Sequence, residues 1–288
     1  MSLTLDRVRI VDEVMQAYAD REDITDKWLV WQSIATATTR RAILSALRIL
    51  PDMHIADVGC GYGALLFDLV AMHKVKVTGI DNSPTVLALD EDILATLAAR
   101  GALQEGATVT LQRGDVMALP LADGSVDGVV TRFLFQHLRN PSAAATEMFR
   151  VLKSGGFVCA IDVDDALSIE YPSHLAAYSR AKEALQSLQR IRGGDRKIGR
   201  KLASVFHNAG FSVAQTFVVP QAAYYQAPGD LTRNVLVQQL QAARPELVAH
   251  GILTETEFQM LLRDLRQETA CWQFSMHAEI AVIALKPR

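Results

Sequence analysis

Residues Ile55–Leu66 read IADVGCGYGALL. An apolar run carries an acid at Asp57, glycines follow at alternate positions (Gly59, Gly61, Gly63), and a second apolar run begins at Ala64. Glycine is unfavourable inside regular structure, so its repetition marks a backbone that must turn tightly or approach another group closely. The pattern predicts a strand over 53–58, a tight turn, and a helix over 64–72. Strand, glycine turn and helix in that order present helix-terminal N–H groups and bare backbone to a nucleotide at the carboxyl end of a parallel sheet.

Working outward, VKVTGI (75–80) reads as a strand, and Ser83-Pro84 opens a helix with Val86, Leu89, Ile93 and Leu97 on one face. Strands are expected at 107–113, 127–132 and 157–163, with a helix from Asn140-Pro141 to Lys153 closed by Gly155-Gly156. Alternating strands and helices imply a parallel sheet covered on both faces. Residues 1–50 read as helical, with no Gly or Pro before Pro51. After Asp165 the regularity loosens. One apolar stripe (Leu175, Tyr178, Ala181, Leu185, Leu188, Ile191) marks an inserted helix, and Asp195 caps a helix expected to reach Ala209. A strand follows over 211–219, Thr254 and Glu257 make a capping box, and AEIAVIALK forms the last strand.

The chain has 288 residues, a net charge of -3 and 50% apolar residues, enough for one large domain with appendages. The charge balance gives no bulk attraction to a nucleic-acid polyanion. Charges interrupt the N-terminal residues, and no run approaches the roughly 18 apolar residues a membrane span requires, so a cytoplasmic protein without membrane association is expected. Cys60, Cys159 and Cys271 are scattered, which argues against a disulfide framework or structural zinc. No metal constellation stands out, and His54, His73 and His174 read as surface residues.

The glycines alone do not select the ligand. Gly59, Gly61 and Ala64 also satisfy the dinucleotide fingerprint G-x-G-x-x-G/A, and Asp81 lies where an acid would hold ribose hydroxyls. The next segments discriminate. DVGCGYG, GIDNSP, GDVMALPLADGSVDGVV and EMFRVLKSGG occur in this order, and the region from Ile55 to Val219 resembles the class I S-adenosylmethionine-dependent methyltransferases, of the small-molecule group that includes quinone and sterol C-methyltransferases.

The resemblance implies an α/β fold with a Rossmann-like, seven-stranded, mostly parallel sheet ending in an antiparallel C-terminal hairpin. It implies a helical lid over 1–50 and a methyltransferase domain over 51–288, with helical insertions at about 166–193 and 221–276. S-adenosyl-L-methionine is the implied cofactor. Asp57 then begins the glycine turn, with Cys60 within it, and Gly59 and Gly61 approach the methionyl and ribose portions. Asp81 takes the ribose hydroxyls with Asn82 beside it. Asp115 accepts from the adenine amine while the Val116 amide faces the ring, and backbone at Thr131 and Arg132 meets the methionyl ammonium. Ionised carboxylates are strong acceptors for hydroxyls and amines, consistent with these roles.

Methyl transfer from a sulfonium is an in-line displacement that proximity and exclusion of water can accelerate without an obligatory catalytic residue. For an acceptor that must lose a proton, His137 is the candidate base because its unperturbed pKa lies near neutrality; a structural histidine is the alternative. Phe133, Gln136 and Asp164 follow the fourth and fifth strands and are candidate pocket residues. Tyr18, Trp28 and Trp31 could close over the cofactor, although an aromatic stripe also serves as plain core. Tyr171, Tyr178, Tyr224, Tyr225 and Trp272 are candidates for the acceptor pocket. The basic segment Arg190–Lys201 could meet an anionic group or form a solvated face. The function expected is methyl transfer to a small molecule, at oxygen, nitrogen or carbon. RNA or DNA methylation and cofactor binding without methyl transfer are the alternatives. Oligomeric state is open, with a homodimer among the options.

Overall fold

The computed structural model describes residues 2–24, 28–171, 176–226, 231–266 and 272–288. Seven strands form one sheet in the order β3-β2-β1-β4-β5-β7-β6. They are β1 (His54–Val58), β2 (Lys76–Asp81), β3 (Thr108–Arg113), β4 (Val126–Arg132), β5 (Leu152–Tyr171), β6 (Ser212–Gln226) and β7 (Trp272–Leu285). β1 to β5 pair in parallel, and β7 runs antiparallel between β5 and β6. The chain winds outward from β1 through β2 to β3, then crosses back to β4 on the other side. The crevice between β1 and β4 is therefore the topological switch point, where open α/β sheets hold ligands.

Helices α4 (Ala64–Met72) and α5 (Pro84–Ala99) cover one face of the sheet together with α1 (Ser2–Ala19). Nearly every residue of α4 is buried, so its continuous apolar sequence suits a helix clamped between α1 and the sheet. Ser83 caps α5 by accepting from the Val86 amide at 3.3 Å, with Pro84 at the first helical position. On the opposite face lie α6 (Pro141–Val151), capped by Asn140, and α8 (Leu202–Asn208). A separate apolar cluster joins α7 (Ala176–Ile191), α9 (Leu231–Ala249) and α10 (Glu255–Arg266). Thr254 and Glu257 form the expected capping box at the start of α10, with reciprocal bonds of 2.7 and 3.2 Å.

Helices α2 (Trp28–Ala35) and α3 (Ala37–Ala46) are fastened to α4 by charge. The Asp68 carboxylate, fully buried, accepts from Arg40 at 2.7 Å and from Arg41 at 2.9 Å, and Arg41 also makes a bidentate contact with Asp12 of α1. Arg40 spans back to the Ser33 carbonyl at 2.7 Å.

Four boundaries differ from the sequence reading. β5, β6 and β7 all extend beyond the expected limits and pair as an antiparallel ribbon, Tyr171 opposite Phe274 and Tyr224 opposite Phe274. Residues placed in helical insertions from 166 and 221 are therefore strand as far as Tyr171 and Gln226. The signal was a period of two: Leu167, Ile169 and Tyr171 alternate with Ser168 and Glu170. Asp195 caps a turn, accepting from the Lys197 amide at 2.8 Å, and α8 itself starts only at Leu202. His54 and His73 are partly buried, and His54 bonds Thr78 at 2.8 Å. His174, Cys271 and the side chains of Tyr225 and Trp272 lie outside the described residues. Among the described residues no helix is long and apolar enough to cross a membrane.

Candidate functional site

A cavity of about 650 Å³ opens at the switch point. The turn after β1 and the ends of β2 and β4 form its floor; α2, α7 and α9 form its walls.

At the β1–β2 end, Asp57 is 1% exposed, and among the described residues its Oδ2 has no hydrogen-bond partner. Burial, reinforced by the nearby Asp81 charge, pushes the Asp57 carboxyl up to about 7, against the pull of the Leu66 amide and Arg40. A buried acceptor with an empty valence on a cavity wall is a ready partner for a ligand ammonium. Asp81 is held by the Gly61 and Ser83 amides, each donating at 3.0 Å. Gly61 has φ +53°, and a Cβ there would meet no heavy atom within 4 Å. Its left-handed backbone therefore leaves open space against the cavity. A Cβ on Gly59 would come within 2.9 Å of Leu134, so the loop after β4 closes directly over the turn. Cys60 also lines the cavity, its Sγ 3.7 Å from Asp90 Oδ2; burial pushes its thiol pKa upward.

Of the remaining cofactor-side candidates, only Arg132 borders the cavity. Arg132 lines the cavity, in a bidentate pair with Glu279 at 3.0 and 2.6 Å and over the Phe133 ring at 3.8 Å. Thr131 is buried, its hydroxyl has no partner among the described residues, and it does not reach the wall. Asn82 and Asp115 are exposed and Val116 half-buried, and none of the three borders the cavity. Asp115 accepts from the Met117 amide at 2.8 Å, which fixes its carboxylate at the end of β3.

At the far end the wall is built from the 3₁₀ turn Phe135–His137 and from α7 and α9. Phe133 borders the cavity with φ 57°, a left-handed conformation rare for a bulky side chain and characteristic of backbone constrained at a site. Gln136 is buried there. His137 also lines the wall and remains reachable by water. Partial enclosure of its ring, together with the Arg196 and Arg192 charges, lowers its pKa. The imidazole is thus neutral near pH 7, and the near-neutral pKa for which it was singled out is not what this environment gives. Trp28 lines the cavity; Trp31 instead packs partly buried against the main core.

Five further pocket candidates stand elsewhere for packing reasons, among them Tyr224, 74% exposed on the ribbon. Tyr18 is core, its hydroxyl 3.2 Å from Thr96 Oγ1. Tyr178 belongs to the α7–α9–α10 cluster and bonds His277 at 3.4 Å. Asp164 is buried in a pair with Arg200, and Tyr171 is 69% exposed on the ribbon. Residues not singled out complete the wall, Lys182, Gln186 and Gln189 of α7 and Leu236 and Gln239 of α9, together with Arg192 and Arg196 of the basic segment. The basic segment was visible in sequence. That two of its arginines turn inward was not. Among the described residues, no group of three or more His, Cys, Asp or Glu side chains is placed to hold a metal ion.

Residues 56–160 match a family model described as a methyltransferase domain. Residues 56–160 are thus a methyltransferase domain, and the sheet around them has the fold of the class I S-adenosylmethionine-dependent methyltransferases. It is 33% identical over 134 residues to an O-methyltransferase of Pyrenophora dematioidea, a match covering 46% of this chain and 48% of that one. It is 26% identical over 160 residues to a demethylmenaquinone methyltransferase of Desulfitobacterium hafniense, covering 55% and 60%. The matches thus span about half the length of these relatives. A candidate methyltransferase of Bacillus halodurans shares the fold at 17% identity with a TM-score of 0.57, covering 87% of this chain and 100% of its own.

The family's cofactor is S-adenosylmethionine, and the residues present fit it. The unpartnered Asp57 oxygen suits an ammonium, Asp81 presents a carboxylate already aimed by two amides, and Gly61 leaves room for close approach.

Proposed function

We propose that this protein transfers the methyl group of S-adenosylmethionine to a small-molecule acceptor seated between the end of β4 and helix α7. One observation carries the reading: a single continuous cavity joins Asp57, Gly61 and Asp81 to the polar wall of α7. The cofactor supplies an electrophilic methyl on a sulfonium. Everything else asked of the chain is orientation and removal of water.

In this reading Asp57 and the backbone at Thr131 and Arg132 hold the methionyl ammonium. Asp81, with Asn82 beside it, binds the ribose hydroxyls. Asp115 and the Val116 amide form the adenine edge at the end of β3, outside the enclosed part of the cavity. Trp28 on α2 covers the cofactor, and Phe133 packs beside the reacting centre. His137 accepts the proton of a hydroxyl or amine acceptor. A neutral imidazole of lowered pKa suffices, because an oxygen that has gained a methyl while keeping its proton is strongly acidic.

The test is incubation of the protein and S-adenosylmethionine with a metabolite extract or with total RNA, measuring release of S-adenosylhomocysteine. Release with the extract alone is expected. Release with RNA alone would overturn the small-molecule assignment, and cofactor binding without release on any acceptor would favour a non-methylating role.

A further inference from the structure

Helix α7 presents two amide side chains to the cavity, and their neighbours dictate which end of each amide is left for a ligand. Gln186 Nε2 donates to Asp165 Oδ2 at 2.6 Å. Gln189 Nε2 donates to the Gln136 carbonyl at 2.8 Å and to Gln136 Oε1 at 3.2 Å. Carboxylate and carbonyl oxygens only accept, so flipping either amide would set two acceptors against each other. Gln136 is locked in turn, its Oε1 accepting from Arg196 Nη1 at 2.7 Å and its Nε2 donating to the Phe133 carbonyl at 3.3 Å. Among the described residues nothing donates to Oε1 of Gln186 or Gln189, and both side chains are half-buried on the cavity wall. Three residues apart on one helix, they form an adjacent pair of acceptors.

The cations on the same wall are matched internally. Arg196 pairs with Asp165 at 2.9 and 2.8 Å, Arg192 with Glu246 at 2.9 and 2.5 Å, and Lys182 with Glu170 at 2.9 Å. An ionised ligand group would have to compete with these carboxylates for cations that are already neutralised. Leu185, Leu188 and Leu236 supply apolar surface around the two amides.

We propose that the acceptor is recognised as a hydrogen-bond donor: a neutral small molecule with at least two hydroxyl or N–H groups on an apolar frame, which donate to Gln186 Oε1 and Gln189 Oε1. The inference rests on the proposed methyl transfer, whose cofactor defines the opposite end of the cavity.

Matched probes test it on the full chain saturated with S-adenosylhomocysteine, with binding followed by ligand-observed NMR titration. Catechol is expected to bind about tenfold more tightly than its dimethyl ether, veratrole, because veratrole leaves both carbonyls unpaired. Protocatechuate, which adds a carboxylate to the same ring, is expected to bind no more tightly than catechol. The double variant Gln186→Leu/Gln189→Leu should abolish the preference for catechol over veratrole; if it does not fold, the wild-type comparison decides alone. Equal binding of catechol and veratrole, a preference for protocatechuate, or no binding of any hydroxylated probe to the loaded protein would overturn the proposal. Failure to bind S-adenosylhomocysteine at the outset would instead count against the methyl-transfer reading.

Discussion

The Asp81 carboxylate accepts from the Gly61 amide at 3.0 Å, tying the end of β2 to the glycine turn after β1. Its other oxygen accepts from Ser83, the residue that caps α5. One side chain therefore fixes the turn, marks the start of a helix and faces the cavity. Replacing Asp81 with Ala should weaken S-adenosylhomocysteine binding by about tenfold or more, on the order of 1 to 3 kcal/mol for charge-assisted bonds. Asp115→Ala should weaken it less, since Asp115 is exposed and borders no enclosed wall. Calorimetric titration of the two variants measures the ordering.

Asp57 gives the site a pH dependence whose sign can be worked out. Its folded-state pKa is raised to about 7, so the buried carboxyl is protonated at pH 6 and ionised at pH 8. Stability contributed by this group declines as pH rises from the ordinary carboxylate range towards 7. Affinity for the methionyl ammonium, which requires the carboxylate, moves the other way. Between pH 6 and 8, S-adenosylhomocysteine affinity should rise about tenfold, as the ionised fraction does. Asp57→Asn should flatten that profile; an unchanged slope in the variant would assign the dependence to another group.

Gly61→Ala separates backbone strain from occupancy. The φ of +53° should cost about 1 to 2 kcal/mol of stability in any L-residue, read as a shift in the denaturation midpoint. Because Gly61 lines the cavity and a methyl there meets no protein atom, S-adenosylhomocysteine affinity should fall as well.

Asp68→Ala probes the attachment of the N-terminal helices. Removing this carboxylate strands Arg40 and Arg41 without their shared partner, one of them 3% exposed. A loss of about 3 to 5 kcal/mol in urea denaturation is expected, with earlier proteolysis of the segment bearing α1 to α3.

Much of the nucleotide-binding half was legible because its signals are local. Ser83-Pro84 writes a helix start into adjacent residues, and the glycine turn after Asp57 fixes the switch point between β1 and β4. The ribbon was hidden: Ser168 and Glu170 interrupt the apolar residues of β5 at a period too short to stand out beside a helical stripe. The far wall was hidden for a different reason. Nothing in α7 says that Gln186 and Gln189 face the cavity, because its orientation is set by packing against α9. Tyr178 carried the stronger local signal and went into the core. His137 was visible as a residue; the enclosure that lowers its pKa was not, nor the added effect of Arg196 and Arg192 from far along the chain.

The most direct measurement is calorimetric titration of S-adenosylhomocysteine into the wild-type protein and Asp81→Ala, with NAD as a parallel ligand. The account predicts one binding event in the wild type, marked weakening in the variant and no heat with NAD. Equal affinity in both proteins, or binding of NAD in place of the adenosyl ligand, would contradict it.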